Sequence, residues 1–359
     1  MFNRALQLGQ DLSEPIPPGE CAITSLTTDG RGHLVGATSG KRSHLFAYFG
    51  KAPGDGVYDL AVIEGARAVR RSLVVASDGT ILAGISEAAD GKKGGGLFRI
   101  GEKPKAYKRS RDVEREHKLL PAPVAGECVA AMTIDRNRNV AYGLSSESGT
   151  LFSVDVASAQ VTRKGEIAAK GGFSHALVTD LRGNVYGAGE LGRLFRFNPV
   201  TDEIERLPIS LPTVAGREYY NRLDSAALDR STGLIYGGGS ADGLIFVLDP
   251  EAVTIRSLGK VTAEPRCRAI TVGLDGRVYG VSGEPDGMAH LFCYDPDVPE
   301  LRDLGIPYAH SERAWHGYEF DAACTGPNGE IYLGESDRIS HLFIYFPPIK
   351  PKARGPKPA

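Results

Sequence analysis

Short apolar runs alternate with turns rich in Gly, Asp and Asn along almost the whole chain. One unit recurs seven times: an apolar strand, a turn, a second apolar strand that ends in Tyr-Gly or its equivalent, a polar loop, and a strand that begins Leu-Phe. A multi-stranded unit that recurs roughly every 50 residues is typical of a β-propeller. We therefore predict an all-β, seven-bladed β-propeller whose second strands end at Gly36, Gly84, Gly143, Gly187, Gly237, Gly280 and Gly334.

The fifth repeat shows the predicted blade most clearly. Its four strands, named A to D from the channel outward, are predicted at 224–229, 234–238, 244–249 and 254–259, where β-branched and aromatic residues are bounded by turn residues. The seventh repeat has strands A, B and C but no strand D, whereas the segment 4–10 resembles the D strands of other repeats. We predict that this N-terminal strand completes blade 7 and thereby closes the ring.

The repeats predict one domain over residues 1–346, followed by a Pro- and Lys-rich tail, 347–359, that we expect to be disordered. The net charge of −2 gives no field that would attract nucleic acid. No apolar run approaches the ~18 residues that a membrane span needs. The N-terminus has no apolar signal core, and the five cysteines are odd in number and widely spaced, so we expect free thiols and a cytoplasmic location. A closed ring is adequate as a monomer.

Functional residues are expected on the face that carries the D–A and B–C connections, because sites in rigid scaffolds concentrate in loops. Two D–A connections, 217–224 and 308–321, hold most of the reactive and aromatic side chains. Aromatic rings suit a sugar face, Arg grips a carboxylate, and His and Tyr move protons. The candidate catalytic residues are His175, Tyr220, His290, His316, Tyr318 and His341, and the candidate substrate-binding residues are His44, Tyr219, Arg222, Arg268, Trp315 and Arg338. Long loops also collect such residues for structural reasons.

The phrase Ser/Ala-His-Leu-Phe recurs at His44, His290 and His341, which occupy equivalent positions in blades 1, 6 and 7. Strand spacing places such positions about 13 Å apart, which is too far for one shared metal ion. A repeated structural role is therefore the favoured interpretation of the three histidines. A second metal hypothesis remains, in which carboxylates near the channel hold a hard divalent ion such as Ca²⁺ or Mg²⁺; these are Glu20, Glu127, Asp224 and Asp321.

The looser repeat pattern, Asp-x-x-Gly-x-(Val/Ile)-Tyr-Gly followed by Gly-x-Leu-Phe-x-(Tyr/Phe)-(Asp/Asn)-Pro, resembles that of sugar-active and lactone-active seven-bladed propellers. These include ulvan lyases, rhamnosyl-glucuronate lyases and related rhamnosidases. The resemblance implies His and Tyr as acid and base and Arg as the group that neutralises a uronate. Two sets of residues could take these parts: His290, His316, Tyr318, Arg338 and His341, or His175, Tyr220 and Arg222.

The leading hypothesis is a carbohydrate-active propeller that binds an acidic or deoxy-sugar oligosaccharide in a funnel on this face. The expected chemistry is β-elimination or glycosidic cleavage, with Arg acidifying the proton that His or Tyr removes. One alternative is a non-catalytic protein-interaction scaffold, because Tyr, Trp and Arg also suit interface hot spots. Another is a hydrolase or lactonase that depends on a divalent metal.

Overall fold

The structure is a computed structural model that describes residues 3–8, 16–29, 32–50, 56–89, 94–101, 117–167, 174–284, 288–309, 314–337 and 339–349. Seven antiparallel sheets form the blades, each with strands in the order A-B-C-D, so the predicted all-β, seven-bladed propeller is confirmed. The described helical residues are two short 3-10 turns, Glu190–Gly192 and Glu218–Tyr220. No helix in the described part of the chain is long and apolar enough to cross a bilayer.

Blades 1 to 4 follow one another along the chain. Blade 1 comprises Ala22–Thr28, Leu34–Ser39, Ser43–Phe49 and Gly56–Ile63. Blade 2 comprises Leu73–Val75, Ile81–Gly84, Leu97–Ile100 and His117–Leu120. Blade 3 comprises Val129–Asp135, Val140–Ser145, Thr150–Asp155 and Val161–Glu166. Blade 4 comprises Val178–Thr179, Val185–Ala188, Arg193–Asn198 and Glu203–Ser210.

Blades 5 to 7 complete the ring. Blade 5 comprises Leu223–Leu228, Ile235–Gly239, Ile245–Asp249 and Thr254–Gly259, within one residue of the predicted bounds. Blade 6 comprises Cys267–Val272, Val278–Ser282, His290–Asp295 and Glu300–Gly305. Blade 7 takes strands A to C from Phe320–Thr325, Ile331–Glu335 and His341–Tyr345. Short extra strands lie at Ala66–Ala68, Glu87–Ala88, Tyr308–Ala309 and Trp315–His316.

The N-terminal strand closes the ring as predicted. Asn3–Gln7 pairs antiparallel with strand C of blade 7, in a register that runs from Asn3↔Tyr345 to Gln7↔His341. The outer edge of blade 7 is therefore paired by a strand from the other end of the chain, which removes an edge that could template aggregation. Residues 9–10 of the predicted strand and residues 350–359 of the predicted tail lie outside the described residues.

The core consists of seven apolar clusters, and each cluster joins two neighbouring blades. Within five blades, the recurring glycine of strand B has the same packing role. The phenylalanine of strand C lies over this glycine, and in blade 5 a Cβ on Gly237 would come within 2.4 Å of Phe246. The pairs are Gly36–Phe46, Gly143–Phe152, Gly187–Phe195, Gly237–Phe246 and Gly280–Phe292.

Blades 2 and 7 differ from this pattern by one residue. Phe98 lies opposite Ala83, and Phe343 lies opposite Leu333. Gly84 and Gly334 therefore lie one residue after the strand B position that faces the phenylalanine. A Cβ at either glycine would instead meet a neighbouring blade. The seven glycines of the sequence repeat are thus equivalent in only five blades.

We expect Gly237→Ala to lower the free energy of unfolding by about 1–3 kcal/mol, because the added methyl group overpacks the Phe246 ring. Chemical denaturation measures the change. A double variant that adds Phe246→Leu should recover part of the loss, since the leucine side chain frees space over residue 237. An unchanged stability for the single variant would contradict this packing role.

Candidate active site

The candidate site lies where the start of strand A pairs irregularly with strand B. In blades 5, 6 and 7 the register shifts across the second residue of strand A, which leaves Asp224, Arg268 and Asp321 outside the regular ladder. A β-bulge re-aims the side chain of the extra residue. All three side chains consequently meet at the mouth of the central channel, on the face where the D–A connections end.

Two buried aspartates form the centre of this group. Asp224 is 0% exposed, and Arg266 donates to both of its oxygens, at 2.8 Å from Nε and 2.6 Å from Nη2. Asp321 accepts from Arg70 Nη1 at 2.7 Å and from Arg268 Nη1 at 2.9 Å. Because Arg matches a carboxylate with a planar fork of donors, each aspartate is held in a defined orientation.

Arg71 links the two aspartates. Its Nη2 lies 3.7 Å from Asp224 Oδ1 and 3.5 Å from Asp321 Oδ1. Its backbone N–H donates to Thr24 of blade 1, and its carbonyl accepts from Met132 of blade 3. Arg71 has a left-handed backbone conformation with a φ of 50°, which is uncommon for a non-glycine residue and is maintained here by these contacts.

The ion pairs at the channel mouth extend outward to two groups that can transfer protons. At one end, His175 Nδ1 lies 3.4 Å from Asp224 Oδ1, and the backbone N–H of His175 donates to Leu223. At the other end, Arg268 Nη1 lies 2.9 Å from Glu319 Oε1. Arg268 also contacts Glu284 at 3.2 Å. His175 is 43% exposed, so one end of this chain of contacts is open to solvent.

Burial and neighbouring charges shift the pKa values of the carboxyl groups in this cluster in different directions. Burial by itself would raise the pKa of Asp224 and of Asp321, but the surrounding cations outweigh it and hold both pKa values below the usual range. Burial raises the pKa of Glu319, and neighbouring carboxylates reinforce that shift against the opposing effect of Arg268. Glu319 is therefore the acid of this group that is most readily protonated, which suits a proton donor.

A cavity of about 150 Å³ lies beneath the cluster, inside the central channel. All seven blades contribute to its lining, which mixes apolar side chains such as Leu26, Leu73 and Ile270 with polar groups. Arg71, Arg268 and Asp321 also line it, so the ion pairs cover this cavity at one end. Arg71 Nε and Arg268 Nε are buried without an acceptor among the described residues.

A second group of predicted residues lies on blade 7. The Trp315 Nε1–H donates to Glu335 at 3.0 Å, and the Trp315 ring stacks on His341 with centroids 4.3 Å apart. His341 Nδ1 also contacts Glu335, at 2.9 Å. The rings of Tyr308 and His316 lie 4.7 Å apart beside this group. Tyr318 is exposed and directly precedes Glu319, so this second group adjoins the channel-mouth cluster.

The three equivalent histidines have related but distinct surroundings. His44 is buried, with Nδ1 2.7 Å from Asp59 and Nε2 2.9 Å from Glu20. His290 makes the same strand C to strand D contact, with Nδ1 2.8 Å from Asp303. In blade 7 the position matching these aspartates is Ala5, opposite Phe343, so His341 contacts Glu335 instead. Both ring nitrogens of His44 are occupied by carboxylates, which leaves neither for a substrate.

Tyr219, Tyr220 and Arg222 lie on the rim of the same face. The tyrosine rings contact edge to face, and the two residues are 69% and 68% exposed. Arg222 donates to the backbone carbonyls of Tyr219 and Asn221, so its guanidinium stabilises its own loop. Arg338, one of the predicted substrate-binding residues, lies outside the described residues.

The structure brings together only part of the predicted set. His175 and Arg268 belong to the channel-mouth cluster, whereas Trp315 and His341 form the neighbouring group. The sequence prediction named Asp224 and Asp321 only as possible metal ligands and omitted five other members of the cluster. These five lie at the B–C connection of blade 6 or within three residues of the start of a strand A, and they are Arg70, Arg71, Arg266, Glu284 and Glu319.

The four carboxylates of the metal hypothesis have other partners. Asp224 and Asp321 contact arginines, as described above. Glu20 accepts from Arg42 and lies against His44, and Glu127 accepts from the backbone N–H groups of Glu147 and Ser148. In the described parts of the chain, no three His, Cys, Asp or Glu side chains lie close enough together to hold a metal ion.

No protein-family profile and no curated protein sequence matches this chain. Solved structures match its fold along nearly the whole length. A streptogramin B lyase structure has a TM-score of 0.71 at 11% identity, over 96% of this chain and 97% of that one. A catalytically inactive virginiamycin B lyase from Staphylococcus aureus with quinupristin has a TM-score of 0.68 at 10% identity, over 96% and 99% of the two chains.

Propellers of another functional class match as well. The WD40 β-propeller domain of Doa1 has a TM-score of 0.59 at 13% identity, over 94% of this chain and 96% of that one. At these identities the comparisons establish the propeller fold alone. Both a lyase and a WD40 domain share it, so the function must be argued from the site.

We expect Asp321→Asn to lower the free energy of unfolding by about 3–5 kcal/mol, because the variant leaves Arg70, Arg71 and Arg268 without their shared buried carboxylate. Urea denaturation measures the loss. Glu205→Gln is the control, since it removes an exposed partner of Arg196 and should cost less than about 1 kcal/mol. Equal losses for the two variants would show that the cluster does not stabilise the ring.

We expect the stabilisation by His44 to depend on pH. Burial by itself would lower the pKa of His44, but Asp59 and Glu20 outweigh it and raise the pKa. A histidine with a raised pKa in the folded state stabilises fully below its unfolded pKa of about 6.5, and this stabilisation is lost as the pH rises through the folded value. The stability difference between wild type and His44→Gln should therefore shrink from about pH 5 to about pH 9.

Asp59→Asn tests the cause of this pH dependence. The variant removes one of the two carboxylates that raise the pKa of His44, so its own stability should vary less with pH than that of the wild type. A difference between wild type and His44→Gln that grows with pH would mean that the imidazole is buried in its neutral form.

Proposed function

We propose that the protein is a lyase that binds an acidic oligosaccharide at the mouth of the central channel and cleaves it by β-elimination. The observation that carries this proposal is the chain of contacts from His175 through Asp224, Arg71, Asp321 and Arg268 to Glu319. It places a histidine and a carboxyl group with a raised pKa at the two ends of a cluster of arginines. An acid and a base whose surroundings push their pKa values apart are typical of active sites.

The arginines suit a substrate that carries one carboxylate. Four arginines face two aspartates, Glu284 and Glu319, and protonation of Glu319 leaves the cations in excess by one charge. A uronate carboxylate would balance that excess. Arg70 is 44% exposed, so its guanidinium can contact a ligand without leaving Asp321. Bidentate contacts from Arg would also withdraw charge from the carboxylate and acidify the neighbouring C–H.

His175 is the proposed base. The contact of its Nδ1 with the buried Asp224 favours the tautomer in which Nδ1 carries the proton and Nε2 is unprotonated. Nε2 can then take the proton next to the substrate carboxylate. The negative charge of Asp224 also stabilises the imidazolium that forms, as in the histidine–aspartate pairs of hydrolases.

The proposed step needs no external oxidant or reductant. The C–H proton passes to His175 Nε2, and its electron pair forms a C=C bond. The C–O bond to the leaving sugar breaks, and the leaving oxygen takes a proton from Glu319. The products are an unsaturated uronate and a shortened sugar chain, and proton exchange with water restores both side chains.

A protein-interaction scaffold is the second candidate function. Tyr219 and Tyr220 project from the rim, and their 3-10 turn packs beside the turn that holds the exposed Leu191. Exposed tyrosines next to an aliphatic side chain resemble the centre of a protein interface. This patch lies on the same face as the channel mouth, and the likeness to WD40 domains is compatible with either role.

We expect purified protein to generate unsaturated uronate from glucuronate-containing oligosaccharides, as a rise in ultraviolet absorbance. His175→Gln and Glu319→Gln should each reduce kcat by about 100-fold or more, the usual contribution of an acid or base. Arg70→Ala should mainly raise KM, because Arg70 is proposed to bind the carboxylate.

His33→Gln is the matched control. His33 Nδ1 lies 2.8 Å from Asp29, but this histidine–aspartate pair lies at the A–B turn of blade 1, on the opposite face. Activity should be unchanged in that variant. No unsaturated product from any uronate substrate, together with a partner protein captured through Tyr219 and Tyr220, would favour the scaffold instead.

A further inference from the structure

A cleft of about 210 Å³ lies between blades 3 and 4, on the face opposite the channel-mouth cluster. Side chains of both blades line it, and they come mainly from one surface of blade 3 and from the C–D turn of blade 4. The cleft shares no residue with the proposed active site, and the proposed elimination does not use it.

The cleft exists because blade 3 has small side chains where blade 4 has large ones. Across blade 3, Tyr142, Ser153 and Thr162 are paired in one row. The matching row of blade 4 is Tyr186, Arg196 and Glu205, in which Arg196 donates to Glu205 at 3.1 Å. Long side chains also occupy the strand D position in blades 5 and 6, at Arg256 and Arg302.

The hydroxyl of Tyr142 is left without a protein partner. In three other blades, the corresponding tyrosine hydroxyl donates to an acid near the A–B turn; the pairs are Tyr186–Asp180, Tyr279–Asp275 and Tyr332–Glu330. In blade 3 the acid of that turn, Asp135, is held by Arg138 at 2.6 Å. Tyr142 is only 3% exposed, and its hydroxyl has no hydrogen-bond partner among the described residues. The hydroxyl is not fully buried, so the cleft leaves it open to a water or a ligand.

The charges around the cleft indicate what kind of ligand fits. Lys164 Nζ contacts Asp202 at 2.7 Å, and Arg138 contacts Asp135. Asp155 is the third carboxylate, and hydrogen bonds from Ser158 lower its pKa, so it remains charged. Two cations thus face three carboxylates, which disfavours an anionic ligand.

The remaining groups favour a ligand that both donates and accepts hydrogen bonds. Ser153 and Thr162 present hydroxyls beside Tyr142, and burial raises the pKa of Tyr142 to about 12, so the phenol keeps its proton. Lys164 has donors beyond the one given to Asp202, and its ammonium lies 5.9 Å from the centre of the Phe197 ring. Hydroxyl groups can satisfy this mixture of donors and acceptors without adding charge.

We infer that the cleft between blades 3 and 4 binds a small neutral polyhydroxyl molecule of about the size of one sugar ring, held by Tyr142, Ser153, Thr162, Asp155 and Lys164. Its volume matches about seven water molecules at about 30 Å³ each, or one ligand of roughly a dozen non-hydrogen atoms. The site is independent of the channel-mouth site, and it needs neither of the groups proposed to move protons.

The test is saturation-transfer difference NMR and titration calorimetry on the full chain with glucose, galactose, rhamnose and xylose. Glucuronate and glucosamine serve as the charged counterparts. We expect at least one neutral sugar to bind with one-to-one stoichiometry. Glucuronate could also bind at the proposed channel-mouth site, so only the part of its binding that Ser153→Arg abolishes is compared, and that part should be weaker. Tyr142→Phe should weaken binding about 5- to 10-fold, since it removes one hydrogen bond from a buried site.

Two further variants make the test specific to the cleft. Ser153→Arg places in blade 3 the side chain that blade 4 accommodates at Arg196, so it should abolish binding while leaving the thermal transition in place. Tyr186→Phe is the matched control, because that hydroxyl already donates to Asp180, and it should leave sugar affinity unchanged. The inference is overturned if no neutral sugar binds, if glucuronate binds best and Ser153→Arg abolishes that binding, or if Tyr142→Phe and Ser153→Arg bind like the wild type.

Discussion

The pairing of two buried aspartates with four arginines at the channel mouth is the interaction on which the rest of the ring depends. Asp224 belongs to blade 5 and Asp321 to blade 7, whereas the arginines come from the connections to blades 2 and 6 and from strand A of blade 6. Contacts therefore cross the channel as well as joining neighbours. A buried charge that loses its partner costs several kcal/mol, so each side chain constrains the others. The apolar clusters hold adjacent blades together, and the ion pairs fix the geometry at the centre.

The same constraint explains why the proposed active site lies where it does. A propeller is built from repeated sheets, and regular pairing would point equivalent side chains in equivalent directions. The register shift at the start of strand A recurs in five blades, and its extra residue is Thr24, Ala130, Asp224, Arg268 or Asp321. Because these residues differ in charge between blades, the seven repeats produce one asymmetric cluster. The partly exposed ends of that cluster, His175 and Glu319, are the groups that can exchange protons with a ligand.

Differences between repeats account for the second site too. The row that contains Arg196 and Glu205 in blade 4 contains Ser153 and Thr162 in blade 3, and a cleft opens where the larger side chains are missing. One proposed site thus arises from bulges at the channel mouth and the other from small residues on the opposite face. Neither requires a change in the scaffold, which is why propellers can acquire separate binding sites by substitution within a repeat.

The sequence by itself determined the number of blades, the strands of blade 5 to within one residue, and the closure of blade 7 by the N-terminal strand. These features follow from local patterns: alternating apolar runs, turn residues and the recurring glycine at the end of strand B. The sequence also identified the face that carries Arg268 and His175. It did not identify Glu319 or Arg71 as their partners, nor the carboxylates on both sides of His44.

Those contacts were decided by the tertiary structure alone. Residues such as Arg70 and Asp321 are far apart in the chain and meet only when the ring closes. Their orientation also depends on one-residue bulges, which leave no distinctive mark on the apolar pattern. Local periodicity therefore specifies which strands form, whereas the convergence of charged side chains at one point depends on the register and closure of the whole ring.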